Sequence, residues 1–506
     1  MTDVAAPMRP SLLDTAQRAP GSCLAVVLLL HVAIWTALPA LLSHNLQLDL
    51  VEDLALGREW QLGYWKHPPL PWWLADVAYR LTGDVHAVYI LGPLSAAVCM
   101  YVLWLLGRDI VGGFQSLIAV LALEGIHFFN FSVPKFAHDQ MQLPFWAMTG
   151  LFLYRAFVQE RKRDWLLAGA SLALCFWSKY AAFALAGSIA LFMLFDPQAR
   201  RKLATPGPWL MALAFLVVIA PNLNWLIETG FMPLRYVDAR AKIATHWYHV
   251  FTYPLQWTAS QLFFIAPAVG LIALALIGTR PQPAADDNAA FARRYLAMLA
   301  LGPFLVTTAV ALFAGRLPVA MWGYPLWCFA PLAAIAWFGP AIGSTQLRRF
   351  AAGFLIVFSA MPIAYVAVET LEPAFRDRAK ATQFPGKQLA DEITARWHAK
   401  FSTPLPFVGG GEFATNNIAV YSPDRPRVIV HADTAISPWV DRDELRRRGA
   451  VIAWEDGQLD AAAMAQLRRD YPGLDVQEPL SLPRQTFVGT SVHPVRVHFA
   501  VVPPRP

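Results

Sequence analysis

The chain has 506 residues, of which 56% are hydrophobic and 15% charged, with a net charge of +6 and a mean hydropathy of +0.41. Soluble domains carry about 25% charged residues, so this composition excludes an ordinary soluble protein and indicates a bilayer as the main solvent. The positive residues cluster in short loops between apolar runs, so the net charge does not indicate a nucleic-acid partner. The four cysteines lie inside apolar runs, which excludes disulfides or a thiolate metal site in the polar C-terminal part.

Long apolar runs dominate the chain up to its polar C-terminal part. A spanning helix needs about 20 apolar residues, and about eleven runs are candidates by that criterion. The first run is preceded by too long a segment for a cleavable signal peptide, so we expect it to be retained as an anchor. The runs begin near Gly21, Val85, Gly113, Asp139, Trp165, Ala184, Pro208, Gln261, Tyr295, Ala320 and Ala351.

Lys and Arg concentrate in every second loop, which indicates the orientation of the chain. Examples are Arg9, 161–163, 200–202, Arg280 and 348–349. The positive-inside rule then predicts a cytoplasmic N-terminus, and the odd number of runs places the C-terminal part on the outer side. Many of the 19 tryptophans lie near the ends of apolar runs, as expected for an aromatic belt at the membrane interface.

From about Glu369 the sequence becomes polar, so we predict a membrane domain at 1–368 and an outer domain at 369–506. Helix-like segments of the outer domain are GKQLADEITARWHAKF, DRDELRRRG and LDAAAMAQLRRDYPG, and strand-like segments are LPFVGGG, NIAVYS, RVIVHAD, AVIAWED and VRVHFAVVPP. GGGEFATNN lacks the spacing of a nucleotide-binding loop and is interpreted as a strand-end turn. The predicted fold is a mainly α, polytopic membrane helix bundle with a small C-terminal α/β domain.

The first long outer loop, 43–84, concentrates ionisable residues directly after the first apolar run. Its acids are followed by a basic pair and two prolines: Asp49, Glu52 and Asp53, then Lys66 and His67. On a helix the three acids share one face, and clustered carboxylates raise one another's pKa, which suits a general base or a cation site. A solvated loop is the alternative. The following segment PPLPWWLADVAYRLTG is short, amphipathic and Trp-rich, and is predicted to lie along the interface.

Two further clusters fall at the outer ends of spanning runs. In SVPKFAHDQMQLPFW, Lys135 and His138 are candidates for binding a phosphate. Asp139 is a candidate for a helix N-cap and for a functional acid, and these two roles do not exclude each other. In FWSKYAAFALAG, Lys179 and Tyr180 separate two apolar runs. A lysine there either extends its ammonium to the membrane interface or has a functional role in a phosphate site. All these residues map to the same side of the membrane, as a site that handles a phosphate requires.

The second long outer loop, 228–260, mixes charged and aromatic residues. It contains Arg235, Tyr236, Asp238, Arg240, Lys242, His246 and Tyr248. Such a loop either closes over a lipid-linked ligand or is an ordinary surface loop.

Three stretches resemble the bacterial branch of the protein mannosyltransferase-like glycosyltransferases of the GT-C superfamily. They are the acid-bearing first loop ending in GYWKHPPLPWWL, then KFAHDQMQLPFWAMTGLFLYRA, and then SKYAAF. Lipid A aminoarabinose transferases and rhizobial lipopolysaccharide galacturonosyltransferases are relatives. The resemblance implies a multi-pass protein of the bacterial inner membrane. It also implies transfer of a sugar from a polyprenyl-phosphate donor to an envelope acceptor (lipid A or lipopolysaccharide, another glycan, or a protein) on the periplasmic face.

The resemblance also implies roles for particular residues. The essential aspartate of the family falls on Asp49 and a second family acid on Asp139. Many members carry a glutamate directly after the first aspartate, whereas this chain has Leu50 there and its next acids are Glu52 and Asp53. The division of roles among Asp49, Glu52 and Asp53 therefore stays open.

We therefore expect a single inverting displacement. Asp49 orients or deprotonates the acceptor hydroxyl, while Lys66, His67 and Lys135 hold the leaving phosphate. The acids are also candidate ligands of a divalent cation, although no spacing between them requires one. The sequence leaves two other classes of protein open: a transporter or flippase of lipid-linked sugars, and a receptor or assembly scaffold.

Overall fold

A computed structural model describes residues 12–240, 242–279, 282–339, 341–376, 379–488 and 492–505. Arg9 and Arg280, on which the predicted orientation partly rests, lie outside the described residues, as do the side chains of Asp238 and Arg240. The helices are α1 (Leu12–Arg18), α2 (Pro20–Leu42), α3 (Leu48–Gly57), α4 (Leu70–Thr82), α5 (Leu91–Val111), α6 (Gly113–Leu121), α7 (His138–Gln159), α8 (Lys162–Ser178), α9 (Phe183–Phe195), α10 (Pro197–Lys202), α11 (Pro206–Glu228), α12 (Met232–Arg240), α13 (His249–Leu276), α14 (Asp287–Ala314), α15 (Ala330–Phe338), α16 (Ser344–Phe375), α17 (Gly386–Lys400), α18 (Glu412–Tyr421), α19 (Arg442–Arg448) and α20 (Ala461–Asp470). The strands are β1 (Lys242–Ile243), β2 (Arg316–Leu317), β3 (Phe407–Gly410), β4 (Arg427–Val430), β5 (Ala450–Glu455), β6 (Asp475–Val476), β7 (Leu480–Leu482) and β8 (Val495–Val502).

Six helical segments in the described part are long and apolar enough to cross a membrane: α2, 85–111 (which contains α5), α11, α13, α14 and α16. The other predicted runs form α6, α7, α8, α9 and α15, and four of these have 17 residues or fewer. Short 3₁₀ turns interrupt the chain after α6 and between α8 and α9. Interrupted helices are tolerated in a bilayer where the irregular backbone is buried in protein or lines a cavity.

The helix bundle is packed around one extensive apolar core. Helix α8 packs against α7 and α11. At Gly169 a Cβ atom would lie 2.1 Å from the carbonyl oxygen of Met211, so α8 and α11 approach backbone to backbone. Small residues at such crossings are typical of helices that associate in membranes.

The C-terminal domain contains a mixed six-stranded sheet with the order β4-β3-β5-β8-β6, in which β7 also pairs with β8. Strands β3, β4 and β5 are parallel to one another, and β8 is antiparallel to β5. The structure confirms the predicted strands at LPFVGGG, RVIVHAD, AVIAWED and VRVHFAVVPP and the three predicted helices. The prediction of a strand at NIAVYS is wrong, because this segment ends helix α18.

Helices α3 and α4 lie between the bundle and the C-terminal domain. Their apolar side chains, Leu50 and Leu54 among them, share one core with Ile418 and the sheet of the C-terminal domain. The Arg427 guanidinium also donates to both carboxylate oxygens of Glu59, at 2.7 and 3.2 Å. The polar domain was predicted to begin at 369, but α16 continues through that position to Phe375.

We predict that Gly410→Ala destabilises the C-terminal domain more than Gly457→Ala does. Both glycines have positive φ, at 115° and 78°, so each substitution incurs the cost of the left-handed region, about 1–2 kcal/mol. Only at Gly410 would the added Cβ also lie 2.2 Å from the Ala453 carbonyl oxygen, whereas nothing lies within 4 Å at Gly457. Thermal unfolding of the two purified variants measures the difference, and equal melting temperatures would contradict the close approach.

Candidate active site

A cavity of about 620 Å³ lies between the bundle, the α3–α4 segment and helix α12. The side chains of Asp49, Glu52, Asp53, Lys66, His67, His138, Asp139, Gln142, Trp146, Lys179, Tyr180, Phe183, Leu234, Tyr236, Thr307, Val310, Ala311, Ala314, Arg316, Met321, Trp322 and Leu326 contribute to its wall. One part of the wall is charged and another, on α14 and α9, is mainly apolar. A cavity with a few convergent polar groups in an otherwise apolar wall is typical of a ligand site.

The three acids of the first loop occupy one face of α3, as their spacing predicts. Glu52 and Asp53 are buried, with 5% and 1% of their surfaces exposed, whereas Asp49 is half-buried at the cavity wall. Neither carboxylate oxygen of Asp53 has a hydrogen bond of normal geometry within the described chain. The Asp49 carboxylate lines the cavity and forms no ion pair or side-chain hydrogen bond with another described residue, so it is available to a ligand.

Lys66 lies between two carboxylates from distant parts of the chain. Its ammonium is 2.6 Å from Glu52 Oε2 and 2.5 Å from Glu412 Oε1. Glu412 is the first residue of α18 in the C-terminal domain, and it is not among the site residues predicted from the sequence. The available signal was the stretch GGGEF, in which an acid follows a glycine turn at a helix start, where the helix dipole favours negative charge.

Asp139 and Lys179 form a second buried ion pair, which joins α7 to the break between α8 and α9. The ammonium of Lys179 is 2.7 Å from each carboxylate oxygen of Asp139. Helix α7 is capped at Ala137, whose backbone N–H donates to the Gln140 side chain at 3.0 Å. Asp139 is therefore not the N-cap; it lines the cavity, where its carboxylate pairs with Lys179.

Aromatic rings surround the charged groups. The rings of His67 and His138 lie 4.1 Å apart, and Tyr236 of α12 is 5.4 Å from His67. The Lys66 ammonium lies 5.8 Å from the Tyr236 ring, within the range of a cation–π contact. The Tyr180 hydroxyl donates to Asn222 Oδ1 at 3.3 Å.

Nine of the ten residues predicted for the site line this cavity: Asp49, Glu52, Asp53, Lys66, His67, His138, Asp139, Lys179 and Tyr180. Lys135 is exposed, in a 3₁₀ turn, and is not among the lining residues. The loop 228–260 reaches the cavity through Leu234 and Tyr236. Strand β1 of this loop pairs with β2, which directly follows α14, so the loop is tied to the apolar wall.

The charges at this site perturb one another. Burial raises the pKa of the Asp49, Glu52 and Asp53 carboxyls, and the Glu412 carboxylate raises the pKa of Glu52 further. Burial alone would lower the pKa of Lys66, but the Glu52 and Glu412 carboxylates outweigh it and raise that pKa. Burial would raise the pKa of Glu412, yet the neighbouring Lys66 ammonium lowers it. Lys66 is thus held as a cation, and Asp49 is a stronger base than a surface aspartate.

Within the described residues no group of three or more His, Cys, Asp and Glu side chains is arranged to hold a metal ion. Two of the four cavity carboxylates are paired with lysines, Glu52 with Lys66 and Asp139 with Lys179. The wall has donors that suit a phosphate, a base that suits a hydroxyl, and apolar surface that suits a lipid chain.

We predict that Lys179→Met destabilises the protein by about 3–5 kcal/mol, because it leaves the Asp139 carboxylate buried without its cation. The double variant Lys179→Met/Asp139→Asn removes both charges and should recover most of the loss. Thermal unfolding in detergent compares the two. A double variant that is no more stable than the single one would show that the pair does not hold α7 to the α8–α9 break.

Comparisons with known proteins agree with this architecture. Residues 66–225 match a family model described as dolichyl-phosphate-mannose-protein mannosyltransferase. No curated protein sequence matches the chain. The crystal structure of ArnT from Cupriavidus metallidurans bound to undecaprenyl phosphate is similar, with a TM-score of 0.59 and 14% identity over 96% of this chain and 98% of that chain. The apo structure of the same ArnT gives a TM-score of 0.50, with the same identity and coverage.

The likeness to ArnT establishes the fold over nearly the whole length of both chains. A sequence identity of 14% is too low to show more than the fold. The family match independently covers the part of the chain from Lys66 to Trp225, within α11. It includes Asp139 and Lys179 but neither the α3 acids nor Glu412. Together these findings agree with the resemblance seen in the sequence: residues 66–225 match a model of the protein mannosyltransferase family, and the whole chain has the fold of the membrane protein ArnT.

Proposed function

We propose that the protein transfers a sugar from a polyprenyl-phosphate donor to an acceptor hydroxyl by a single inverting displacement. The observation that carries this proposal is the convergence of Asp49, Lys66 and Lys179 on one cavity, although they are far apart in sequence. Such a reaction needs cations at the leaving phosphate and a base at the attacking hydroxyl. The cavity supplies both within a single wall.

The donor phosphate binds at Lys66, His67 and Lys179. These groups lie on the wall of the cavity, where low dielectric strengthens their attraction for a phosphate. Lys135, which was predicted from the sequence to hold the phosphate, is left out because it is exposed and outside the cavity wall. The ArnT structure bound to undecaprenyl phosphate supports this choice of donor class.

The isoprenoid chain of the donor packs on the apolar part of the wall. Helix α14 presents Val310, Ala311 and Ala314 to the cavity, and α9 presents Phe183. These positions on α14 fall on one helical face. A long isoprenoid chain needs such a surface beside the charged groups, because its phosphate and its tail must be bound at the same time.

Asp49 acts as the general base. Its half-buried carboxylate faces the cavity without an ion pair, and its raised pKa makes it a better proton acceptor. In the reaction, Asp49 accepts the hydroxyl proton as the acceptor oxygen bonds to the anomeric carbon. The bond from that carbon to the phosphate oxygen breaks, and the phosphate leaves with the electron pair towards Lys66.

The positive-inside pattern supports a site on the periplasmic side of a bacterial inner membrane. The acceptor class that we propose is an envelope molecule: lipid A or lipopolysaccharide, another glycan, or a protein hydroxyl. Comparing envelope glycans of a deletion strain with those of the parent by mass spectrometry tests this choice.

The same substrate distinguishes a transferase from a transporter. A transporter would move the lipid-linked sugar intact, whereas a transferase releases the free polyprenyl phosphate.

We predict that Asp49→Asn lowers transfer about 10²-fold or more, because the amide cannot accept the hydroxyl proton. The measurement is release of free carrier from a labelled polyprenyl-phosphate sugar by purified protein. Asp84→Asn, which changes an exposed aspartate of the same loop, is the control and should retain full activity. Undiminished turnover of a folded Asp49→Asn variant would remove Asp49 from the catalytic role.

We also predict that Lys66→Met abolishes the preference for undecaprenyl phosphate over undecaprenol, because the phosphate loses its main cation. Lys135→Met removes the same charge from an exposed position and should bind both lipids as the unchanged protein does. Quenching of tryptophan fluorescence during lipid titration measures both affinities. Equal effects of the two substitutions would indicate a general charge effect and argue against the proposed phosphate site.

A further inference from the structure

Glu412 belongs to the C-terminal domain, yet its carboxylate binds a lysine of the proposed donor site. It is 2.5 Å from the Lys66 ammonium, although the two residues are 346 positions apart in sequence. Glu412 is not among the residues that line the cavity, whereas Lys66 is. The carboxylate therefore approaches Lys66 from the side of the C-terminal domain.

We propose that Glu412 is a positioning residue of the donor site. It holds the Lys66 ammonium at the cavity wall where the donor phosphate binds, so the C-terminal domain completes the site. This inference rests on the function proposed above, and it assigns to the C-terminal domain a part in binding the donor.

The geometry of the ammonium supports a positioning role. Lysine has a flexible four-carbon stem and three N–H donors. Two donors of Lys66 are directed at Glu52 and Glu412, at 2.6 and 2.5 Å, which leaves one for a ligand. The rings of Trp65 and Tyr236 lie 5.3 and 5.8 Å from the same nitrogen and restrict the remaining space.

Glu412 also carries a negative charge, which by itself would repel a phosphate. The two effects have opposite signs. If Glu412 mainly positions Lys66, its removal weakens phosphate binding, because the lysine loses its fixed geometry. If it mainly competes with the phosphate, its removal strengthens binding.

The test measures binding of undecaprenyl phosphate and of undecaprenol to the purified full-length protein by tryptophan fluorescence. We expect Glu412→Ala to raise the Kd for undecaprenyl phosphate about tenfold, since a charge-assisted anchor is lost, and to leave the Kd for undecaprenol unchanged. Glu412→Gln keeps a hydrogen-bond acceptor for Lys66, so its effect should be smaller. If the alanine variant does not fold, the glutamine variant is measured instead, and we expect a smaller but measurable rise in its Kd for undecaprenyl phosphate.

Arg427→Gln is the matched control. It breaks another ion pair between the C-terminal domain and the end of α3, the one with Glu59, without touching Lys66. We expect it to lower the melting temperature and leave the preference for the phosphate intact. An equal loss of that preference would mean that domain docking in general, and not Glu412, governs the site, which would overturn the inference.

The outcomes also separate this inference from the proposed function. If the wild-type protein binds undecaprenyl phosphate no more tightly than undecaprenol, that result contradicts the proposed donor. If the wild-type protein prefers the phosphate and the Glu412→Ala variant retains or increases that preference, only the positioning role of Glu412 is overturned.

Discussion

Charge pairing in an apolar environment is the constraint on which this site depends. Lys66 and Lys179 are each about nine-tenths buried, and an unpaired ammonium at such a depth would cost several kcal/mol. Each is neutralised by carboxylates from other elements: Glu52 and Glu412 for Lys66, and Asp139 for Lys179. The pairs therefore join α3, α18 and α7 to the segments that carry the lysines. The same pairing leaves each ammonium with an N–H donor for the phosphate of the proposed donor, so under the proposed function the interactions that hold the site together also prepare it for a ligand.

The amphipathic helix α3 is the element that connects the membrane bundle with the C-terminal domain. Its apolar side chains, such as Leu50 and Leu54, belong to the core shared with the sheet domain. Its acids, Asp49 and Glu52 among them, are on the face that meets the cavity. Because the position of an acid depends on how firmly the opposite face is packed, the C-terminal domain contributes to the site even where it does not touch the cavity. The ion pair of Arg427 with the buried Glu59 strengthens this packing at the end of α3.

Much of this arrangement could be predicted because it follows from local patterns. Hydropathy located the apolar runs, and the residues around Lys179 marked the break between α8 and α9. What could not be predicted depends on tertiary contact. The segment NIAVYS is buried almost throughout, so it lacks the polar face that would have shown a helix. The pairing of Glu412 with Lys66 joins distant parts of the chain, and the exposure of Lys135 depends on the orientation of a single 3₁₀ turn.

The bundle holds another ionisable pair, and its environment bears on the choice between a transferase and a transporter. His31, near the middle of α2, is 2.8 Å from Glu124, in the 3₁₀ turn after α6, and their side chains are 0% and 2% exposed. Ionisable residues deep in a membrane protein often mark a path for substrate or ions. Neither of these residues lines the cavity, so the pair is sealed within the apolar core and joins α2 to the interrupted helix. The charges that can meet a ligand, those of Asp49 and Lys66 in particular, instead gather in one cavity beside the C-terminal domain. This distribution suits chemistry on a bound ligand and does not suit its passage through the bundle.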